Sequence, residues 1–292
     1  MDPILLQYKK LARSISLVEN ETPGFELILE QLPTTKCPVI GITGAPGAGK
    51  SSLVNSLIHT LLQQQKKIGI IAVDPTSPFN YGSLLGDRLR MSDHFTNNQV
   101  YIRSVATRGS LGGLCEKIVE ISDVMRSSDF DYIVVETVGV GQSEVEIAGL
   151  ADVTIVVLTP DAGDEIQNMK SGIMEIANIL VVNKADKPSA EAYVKNLERI
   201  IHEKDAPGWQ VPVVKTIAIE NKGAAELVTQ INLFLHEAYA KDKQLQLLQE
   251  KAWRLIQRHR MKSTDRKALN EHLKTAATQP HFNLYTFIKP YI

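Results

Sequence analysis

Gly41-Ile-Thr-Gly-Ala-Pro-Gly-Ala-Gly-Lys-Ser-Ser52 is the stretch that decides the fold. Within it, residues 44–51 match the phosphate-binding loop pattern Gly-x-x-x-x-Gly-Lys-Ser. The glycines allow successive backbone N–H groups to curl around a phosphate. In this pattern Lys50 places a positive charge near the β- and γ-phosphates, and the Ser51 hydroxyl is a ligand of Mg²⁺. An apolar run before the loop and helically spaced leucines after it predict a strand, the loop and a helix, in that order.

The bulk composition is that of an ordinary globular chain. Its 292 residues are 43% hydrophobic and 22% charged, with a formal net charge of -1. This balance gives no electrostatic reason to expect nucleic acid or a membrane as a partner. The N-terminus lacks the apolar run of a secretory signal, and no stretch has the length of a membrane span. Cys37 and Cys115 have no metal-like spacing, so we expect thiols in a reducing compartment and a cytoplasmic protein.

Short apolar runs alternate with amphipathic stretches over residues 37–222, the predicted nucleotide-binding domain. The predicted strands are 38–43, 68–73, 100–103, 132–136, 153–158, 179–182 and 211–214. The predicted helices between them are 50–64, 114–125, 165–177 and 189–203. Continuous apolar strands separated by helices indicate an α/β fold with a mostly parallel, doubly wound sheet.

Helices alone are predicted on either side of this domain. Apolar positions at helical spacing indicate an N-terminal helical arm over residues 1–36 and a C-terminal helical extension over residues 223–292. An extension with an apolar stripe can fold back on its own domain or pair with a second copy.

The segment Asn183-Lys-Ala-Asp186 follows the sixth predicted strand and has the Asn-Lys-x-Asp pattern of guanine-nucleotide proteins. A carboxylate at Asp186 can accept hydrogen bonds from the N1–H and the exocyclic amino group of guanine, a pair of donors that adenine lacks. The Lys184 stem can pack over the ring, and Asn183 can join this segment to the phosphate-binding loop. The pattern therefore indicates GTP and GDP rather than adenine nucleotides.

Three carboxylates are candidates for the surroundings of Mg²⁺. Asp74 and Glu136 end two predicted strands, and Asp87 lies in a loop rich in arginine. Because ligands bind at the carboxyl ends of parallel strands, Asp74 and Glu136 should face the same crevice as Lys50. Their oxygens suit a hard cation. For Asp87, an ion pair with a neighbouring arginine is an equally good explanation.

Five motifs, in one order, resemble those of the MeaB/ArgK family of P-loop GTPases. They are Gly44–Ser51, Asp74-Pro-Thr-Ser77, Gly86-Asp-Arg-Leu-Arg-Met91, Glu136-Thr-Val-Gly-Val-Gly-Gln-Ser-Glu144 and Asn183–Asp186. The run that begins at Glu136 is the most discriminating, because generic GTPases carry Asp-x-x-Gly there. The resemblance covers nearly the whole chain.

The resemblance implies a GTP-hydrolysing chaperone of a cobalamin-dependent acyl-CoA mutase, typically methylmalonyl-CoA mutase. Such proteins gate adenosylcobalamin loading, help to eject damaged cofactor, and commonly form homodimers through the C-terminal extension. Motifs and resemblance together assign nucleotide binding to Gly44, Ala45, Pro46, Gly47, Ala48, Gly49, Lys50, Ser51, Ser52, Asn183, Lys184, Asp186, Thr216, Ile217 and Ala218. They place Mg²⁺ among Ser51, Asp74, Asp87 and Glu136.

The run Asp161-Ala-Gly-Asp-Glu-Ile-Gln-Asn-Met-Lys170 resembles an additional mobile switch of the family. Its members Asp164, Gln167 and Lys170 recur every three residues, which predicts one helical face. With Lys50, they are the candidate catalytic residues, although a solvated helix face explains the spacing about as well. No glutamine directly follows a switch Asp-x-x-Gly to orient water. We therefore expect slow hydrolysis that rises when a mutase orders this run.

One departure from the family lies near the predicted base site. The family tends to carry Thr-Ser-Ala where this chain has Thr216-Ile-Ala218, so a side-chain hydroxyl contact is lost at Ile217. The backbone N–H groups of this segment can still contact the base oxygen.

Two other activities stay open at the level of the sequence. A phosphate-binding loop also serves small-molecule kinases of the kind once suggested for ArgK, but no stretch here declares an acceptor pocket. GTP-dependent metallochaperones for nickel or cobalt enzymes have similar loops. They would be expected to carry a Cys/His cluster, whereas the cysteines and histidines of this chain are scattered.

Overall fold

The computed structural model describes residues 3–74, 91–107, 114–139, 143–161, 176–202, 208–236, 239–261, 264–279 and 282–291. The chain forms two compact units, Met1–Leu247 and Leu248–Ile292. No helix in the described ranges is both long enough and apolar enough to cross a membrane.

A parallel sheet organises the first unit. Its strands are β1 Val39–Gly44, β2 Ile68–Asp74, β3 Val100–Ala106, β4 Tyr132–Glu136, β5 Val153–Leu158, β6 Ile179–Asn183 and β7 Val213–Thr216. They lie in the order β3-β2-β4-β1-β5-β6-β7, and each neighbouring pair is parallel. All seven predicted strands are present, and the predicted α/β sheet is confirmed.

Helices cover both faces of this sheet. Among the residues that the structure describes, those of the first unit are α1 Pro3–Glu19, α2 Phe25–Glu30, α3 Lys50–Gln63, α4 Ile118–Arg126, α5 Ser143–Ala148, α6 Ala190–His202 and α7 Ala224–His236. Buried apolar residues of α3 and α7 form a core on one face, and α1, α4, α5 and α6 pack on the opposite face. The predicted helix 165–177 lies almost wholly outside the described residues.

The strand order places a crevice at the carboxyl end of β1. From β1 the chain goes first to β2 on one side, and it later adds β5 on the other side of β1. Sheets of this kind bind ligands at such a reversal, outside the carboxyl ends of the strands. The loop after β1 is the phosphate-binding loop, so the topology puts it at the expected position.

The C-terminal helices divide between the two units. We expected a helical extension from residue 223, and α7 packs into the core of the first unit through Leu227, Ile231 and Phe234. Helix α8, Tyr239–Met261, contains the boundary between the units, and α9, Arg266–Ala277, and α10, Leu284–Phe287, follow it. Dimerisation through this region stays a prediction.

Candidate nucleotide-binding site

The phosphate-binding loop joins β1 to α3 in a conformation that requires glycine. Gly44, Gly47 and Gly49 have φ of 142°, 78° and 91°. A Cβ on Gly44 would lie 2.2 Å from the carbonyl oxygen of Val157, and one on Gly49 would lie 2.3 Å from Nδ2 of Asn183. Side chains tolerate neither the backbone angles nor these distances. The loop is therefore packed closely against β5 and against the end of β6.

Lys50 begins α3, and its side chain is buried. Its Nζ donates hydrogen bonds to the carbonyl oxygens of Gly44, at 2.8 Å, and Ala45, at 3.1 Å. These bonds hold the ammonium group over the loop, at a helix N-terminus where the dipole and the backbone N–H groups also favour anions. An ammonium here can bind a phosphate, as the motif predicts. Ser52, in the first turn of the same helix, is half-buried, and Pro46 is exposed on the loop.

The predicted magnesium ligands lie in the first turn of α3 and at the ends of two strands beside this loop. The Ser51 hydroxyl donates a 2.6 Å hydrogen bond to Oε1 of Glu136, the last residue of β4. Asp74 is the last residue of the neighbouring β2, and all three side chains are buried. A hydroxyl and two carboxyl groups are an all-oxygen donor set that fits Mg²⁺. In the described part of the chain, no group of three or more His, Cys, Asp or Glu side chains is placed to hold a metal ion.

The fourth predicted metal ligand and most of the predicted switch run are not among the residues that the structure describes. Asp87, the fourth residue predicted near the metal ion, lies outside the described residues, as do Asp164, Gln167 and Lys170. Asp161, the first residue of the predicted switch run, forms an ion pair with Lys187, which follows the guanine motif. Exposed pairs of this kind contribute about 1 kcal/mol at most.

Asn183 joins the predicted base-binding segment to the phosphate-binding loop. Its Nδ2 donates to the carbonyl oxygen of Ala48 at 2.9 Å. Its Oδ1 accepts from the Thr216 hydroxyl and from the Ala218 N–H, both at 3.1 Å. The predicted link between the two segments is confirmed. One buried amide therefore fixes the ends of β6 and β7 relative to the loop after β1.

The other residues of the guanine motif lie near the surface. Lys184 has a φ of 58°, and its Nζ donates to the carbonyl oxygen of Gly47 at 2.9 Å. Asp186 is exposed, so its carboxylate is open to a ligand. The N–H of Ile217 donates to the carbonyl oxygen of Lys222 at 3.1 Å, which closes a turn after β7. The arrangement gives a carboxylate and a lysine stem at the mouth of the crevice, where a base could lie.

Sequence reasoning missed contacts made by the residues after β4. The Thr137 hydroxyl donates to the Thr43 hydroxyl at 3.0 Å, and the Thr137 N–H donates to the carbonyl oxygen of Ile42 at 3.0 Å. A Cβ on Gly139 would lie 2.6 Å from Nζ of Lys50. The available signal in the sequence was Gly139 itself, because a backbone that lies close to a cation favours a residue without a side chain.

Comparisons with known sequences identify relatives of this chain. The profile of the family described as "Methylmalonyl Co-A mutase-associated GTPase MeaB" matches residues 11–276. A relative from Pyrococcus abyssi is 48% identical over 226 residues, which cover 75% of this chain and 70% of that one. GTPase ArgK of Escherichia coli is 33% identical over 271 residues, which cover 89% of this chain and 81% of that one.

A solved structure gives the same fold. The crystal structure described as LAO/AO transport system kinase has a TM-score of 0.68 at 22% identity, covering 99% of this chain and 96% of that one. At this identity the likeness shows the fold alone. The family profile spans most of the chain, and two relatives exceed 30% identity over more than two thirds of it. The chain therefore belongs to the MeaB family of methylmalonyl-CoA mutase-associated GTPases and is a GTP-hydrolysing enzyme of the P-loop class.

Proposed function

We propose that this GTPase is a cytoplasmic chaperone of a cobalamin-dependent acyl-CoA mutase, methylmalonyl-CoA mutase or a relative of it. GTP hydrolysis would gate the loading of adenosylcobalamin and the ejection of damaged cofactor. The observation that best supports nucleotide binding is the hydrogen bond between Asn183 and Ala48. It joins the segment proposed to bind the base to the segment proposed to bind the phosphates. The mutase part rests on the family, whose description names that enzyme.

Binding would use both segments at once. The phosphates of GTP or GDP would be held by the N–H groups of residues 44–51 and by Lys50, and Asp186 would accept the donors of guanine. Since Asn183 fixes the distance between the segments, a nucleotide that satisfies one of them is already aligned with the other.

Ser51, Asp74 and Glu136 would hold Mg²⁺, with Asp87 as a further acid. The bound ion would neutralise charge on the phosphate oxygens. The Ser51 proton points to Glu136 in their 2.6 Å hydrogen bond, so the remaining lone pairs of the serine oxygen are left for a cation. Glu136 would therefore orient the serine oxygen as well as contribute charge.

Hydrolysis would proceed by attack of water on the γ-phosphate. Lys50, buried at the helix N-terminus, would stabilise the charge that develops on the phosphate oxygens. Asp164, Gln167 and Lys170 would complete the site when the mutase binds, so turnover of the isolated protein would be slow. This last assignment rests on the resemblance of residues 161–170 to a switch of the family and on the spacing of the three residues.

Homodimerisation has its support in the second unit. In the described part of this unit no hydrophobic side chain is buried. Its large exposed hydrophobic residues are Leu248, Trp253, Leu255, Ile256, Met261, Phe282, Leu284, Tyr285 and Tyr291. Units below roughly 70 residues seldom stay folded without a partner or a staple. A second copy would cover this surface.

Light scattering tests the dimer. Wild-type protein should have twice the mass of one chain, and Leu248→Glu should have the mass of one chain. Leu27→Glu changes a comparably exposed leucine on α2, 59% against 64% for Leu248, and should leave the mass unchanged. A wild-type protein that is monomeric at micromolar concentration contradicts this part.

The rate of GTP hydrolysis with and without the mutase tests the chaperone function. The mutase should raise the rate, and Lys170→Ala should abolish the increase while GDP affinity stays nearly unchanged. Lys195→Ala, on the exposed face of α6, is the matched control. Label on the γ-phosphate should appear only as inorganic phosphate, which distinguishes hydrolysis from a kinase reaction. Equal rates with and without the mutase would overturn the proposal.

A further inference from the structure

The segment that leaves β4 is bonded to its surroundings at successive residues. Glu136 accepts the hydrogen bond of Ser51 at 2.6 Å. The next residue makes two bonds, from the Thr137 N–H to the Ile42 carbonyl oxygen and from the Thr137 hydroxyl to the Thr43 hydroxyl, both 3.0 Å long. Thr43 and Thr137 are both buried. The two hydroxyl groups therefore form a direct bridge between the ends of β1 and β4.

These bonds hold the segment from both faces of the sheet. Side chains alternate along a strand, so Glu136 faces α3 together with Val134, and Thr137 faces the opposite side together with Val135. The bond to Ser51 resists movement on the first face. The hydroxyl bridge resists movement on the second face. The proposed mechanism assigns no role to any other residue on that face.

Gly139 shows how closely the segment then approaches the phosphate-binding loop. A Cβ on it would lie 2.6 Å from Nζ of Lys50 and 2.9 Å from the backbone nitrogen of Pro46. The segment lies in contact with the catalytic ammonium group. A shift of this segment therefore changes what surrounds the bound γ-phosphate.

A pair of hydroxyl groups allows an approach that apolar groups do not. The two threonine oxygens lie 3.0 Å apart, whereas carbon atoms in contact lie about 3.5–4.0 Å apart. Replacing the bridge with two methyl groups would separate the ends of β1 and β4 by roughly 0.5–1 Å. Misplacement by about 1 Å at a catalytic site can lower a rate by about 100-fold.

We infer that Thr137 is a positioning residue for GTP hydrolysis, whose hydroxyl, bonded to Thr43, sets the distance between residues 136–139 and the phosphate-binding loop. This deepens the proposed function at its nucleotide site and does not depend on the mutase. If the wild-type protein shows no GTP hydrolysis, the proposed function fails; if only the variants below behave otherwise than expected, this inference alone fails.

Four variants test the role of the bridge. Thr137→Val removes the hydroxyl and keeps the shape of the side chain and the N–H bond to Ile42. Thr137→Ser keeps the hydroxyl. The double variant Thr43→Val/Thr137→Val removes both hydroxyl groups. Thr60→Val is the matched control, since the buried Thr60 hydroxyl donates within α3, to the Ser56 carbonyl oxygen at 3.0 Å.

The measurements are kcat and KM for GTP, the Kd for GDP and the urea midpoint of unfolding. Thr137→Val should lower kcat at least about tenfold and change the GDP Kd by less than about threefold, and Thr137→Ser should restore kcat. The double variant should keep the low kcat of Thr137→Val, because two apolar groups do not restore the distance. A double variant with the kcat of the wild type, or a kcat of Thr137→Val equal to that of Thr60→Val, would overturn the inference.

Discussion

Replacing Asn183 with Ala should separate the two halves of the nucleotide site. The change removes three hydrogen bonds, to Ala48, Thr216 and Ala218, from a side chain that is 3% exposed. Each such bond contributes about 1 kcal/mol net, and a buried group that loses its partner adds a desolvation cost. We therefore expect Asn183→Ala to lower the free energy of unfolding by about 2–4 kcal/mol.

The same change should weaken nucleotide binding, because the base-reading segment is no longer fixed to the loop. A loss of about 2 kcal/mol in binding corresponds to a rise in the GDP Kd of roughly 30-fold. Asn183→Asp tests the contribution of the donor to Ala48. It keeps an oxygen that accepts from Thr216 and Ala218, but it replaces the donor opposite the Ala48 carbonyl with a second oxygen. Because a buried carboxylate then faces a carbonyl oxygen, this variant should lose at least as much stability and affinity as Asn183→Ala.

Urea unfolding and calorimetric titration with GDP measure the two quantities. Asn196→Ala is the control, since its side chain accepts one solvent-exposed hydrogen bond, from Arg199 of the same helix, and it should change stability by less than about 0.5 kcal/mol. An Asn183→Ala protein with the stability and GDP affinity of the wild type would refute the reasoning, because the three bonds would then contribute to neither.

Three further predictions concern stability. Gly44→Ala would put a Cβ 2.2 Å from the Val157 carbonyl oxygen at a φ of 142°, so it should lower the free energy of unfolding by roughly 3 kcal/mol or more; a thermal midpoint equal to that of the wild type would contradict this. The Ser56 hydroxyl is buried, with no hydrogen-bond partner among the described residues, so Ser56→Ala should raise the urea midpoint by the equivalent of about 1 kcal/mol. Burial raises the pKa of Cys37 from 9.0 to about 12. The folded state thus keeps a proton that the unfolded state loses, and the stability due to this thiol is complete below pH 9 and falls as the pH rises towards 12. The difference in stability between wild type and Cys37→Ala should shrink from pH 8 to pH 10.5, and a constant difference would show the thiol to be accessible.

The strands and the two nucleotide motifs could be predicted because each is local in the sequence. A strand buried on both faces is a continuous apolar run, as in β5 and β6, and such runs bounded by turns are recognisable without a structure. In the phosphate-binding loop each residue has a separate chemical requirement. Asn183 could be placed for a similar reason, since the motif fixes its position at the end of a strand.

The hydroxyl bridge could not be predicted, because it depends on register. Thr43 and Thr137 meet only because β1 and β4 are neighbours with Ile42 opposite Glu136. Neither the strand order nor the register can be derived from the apolar pattern of either strand. Two threonines far apart in the sequence have no feature that marks them as partners.

Whether α7 packs on its own sheet or on another chain could not be predicted, for a different reason. An amphipathic helix presents the same pattern whether it covers its own sheet or another chain. Phe234 of α7 lies 5.0 Å, centroid to centroid, from the half-buried Trp209 and is fully buried, which assigns the helix to the first unit. The apolar residues of α8 have comparable spacing, yet Leu245, Leu248 and Ile256 are exposed.

The strand order also separates the residues proposed to respond to the γ-phosphate from those proposed to bind the base. On one side of the phosphate-binding loop lies β4, with Glu136 and Thr137, and on the other lie β5 and β6, with Asn183. In the proposed function, changes at the γ-phosphate would act on Lys50, whose Nζ lies close to Gly139 on the β4 side. The base would act on the β6 side, where Asn183 and Asp186 lie. A partner that responds to hydrolysis should therefore sense the β4 side, whereas substitutions on the β6 side should alter which nucleotide binds without altering the response to its hydrolysis.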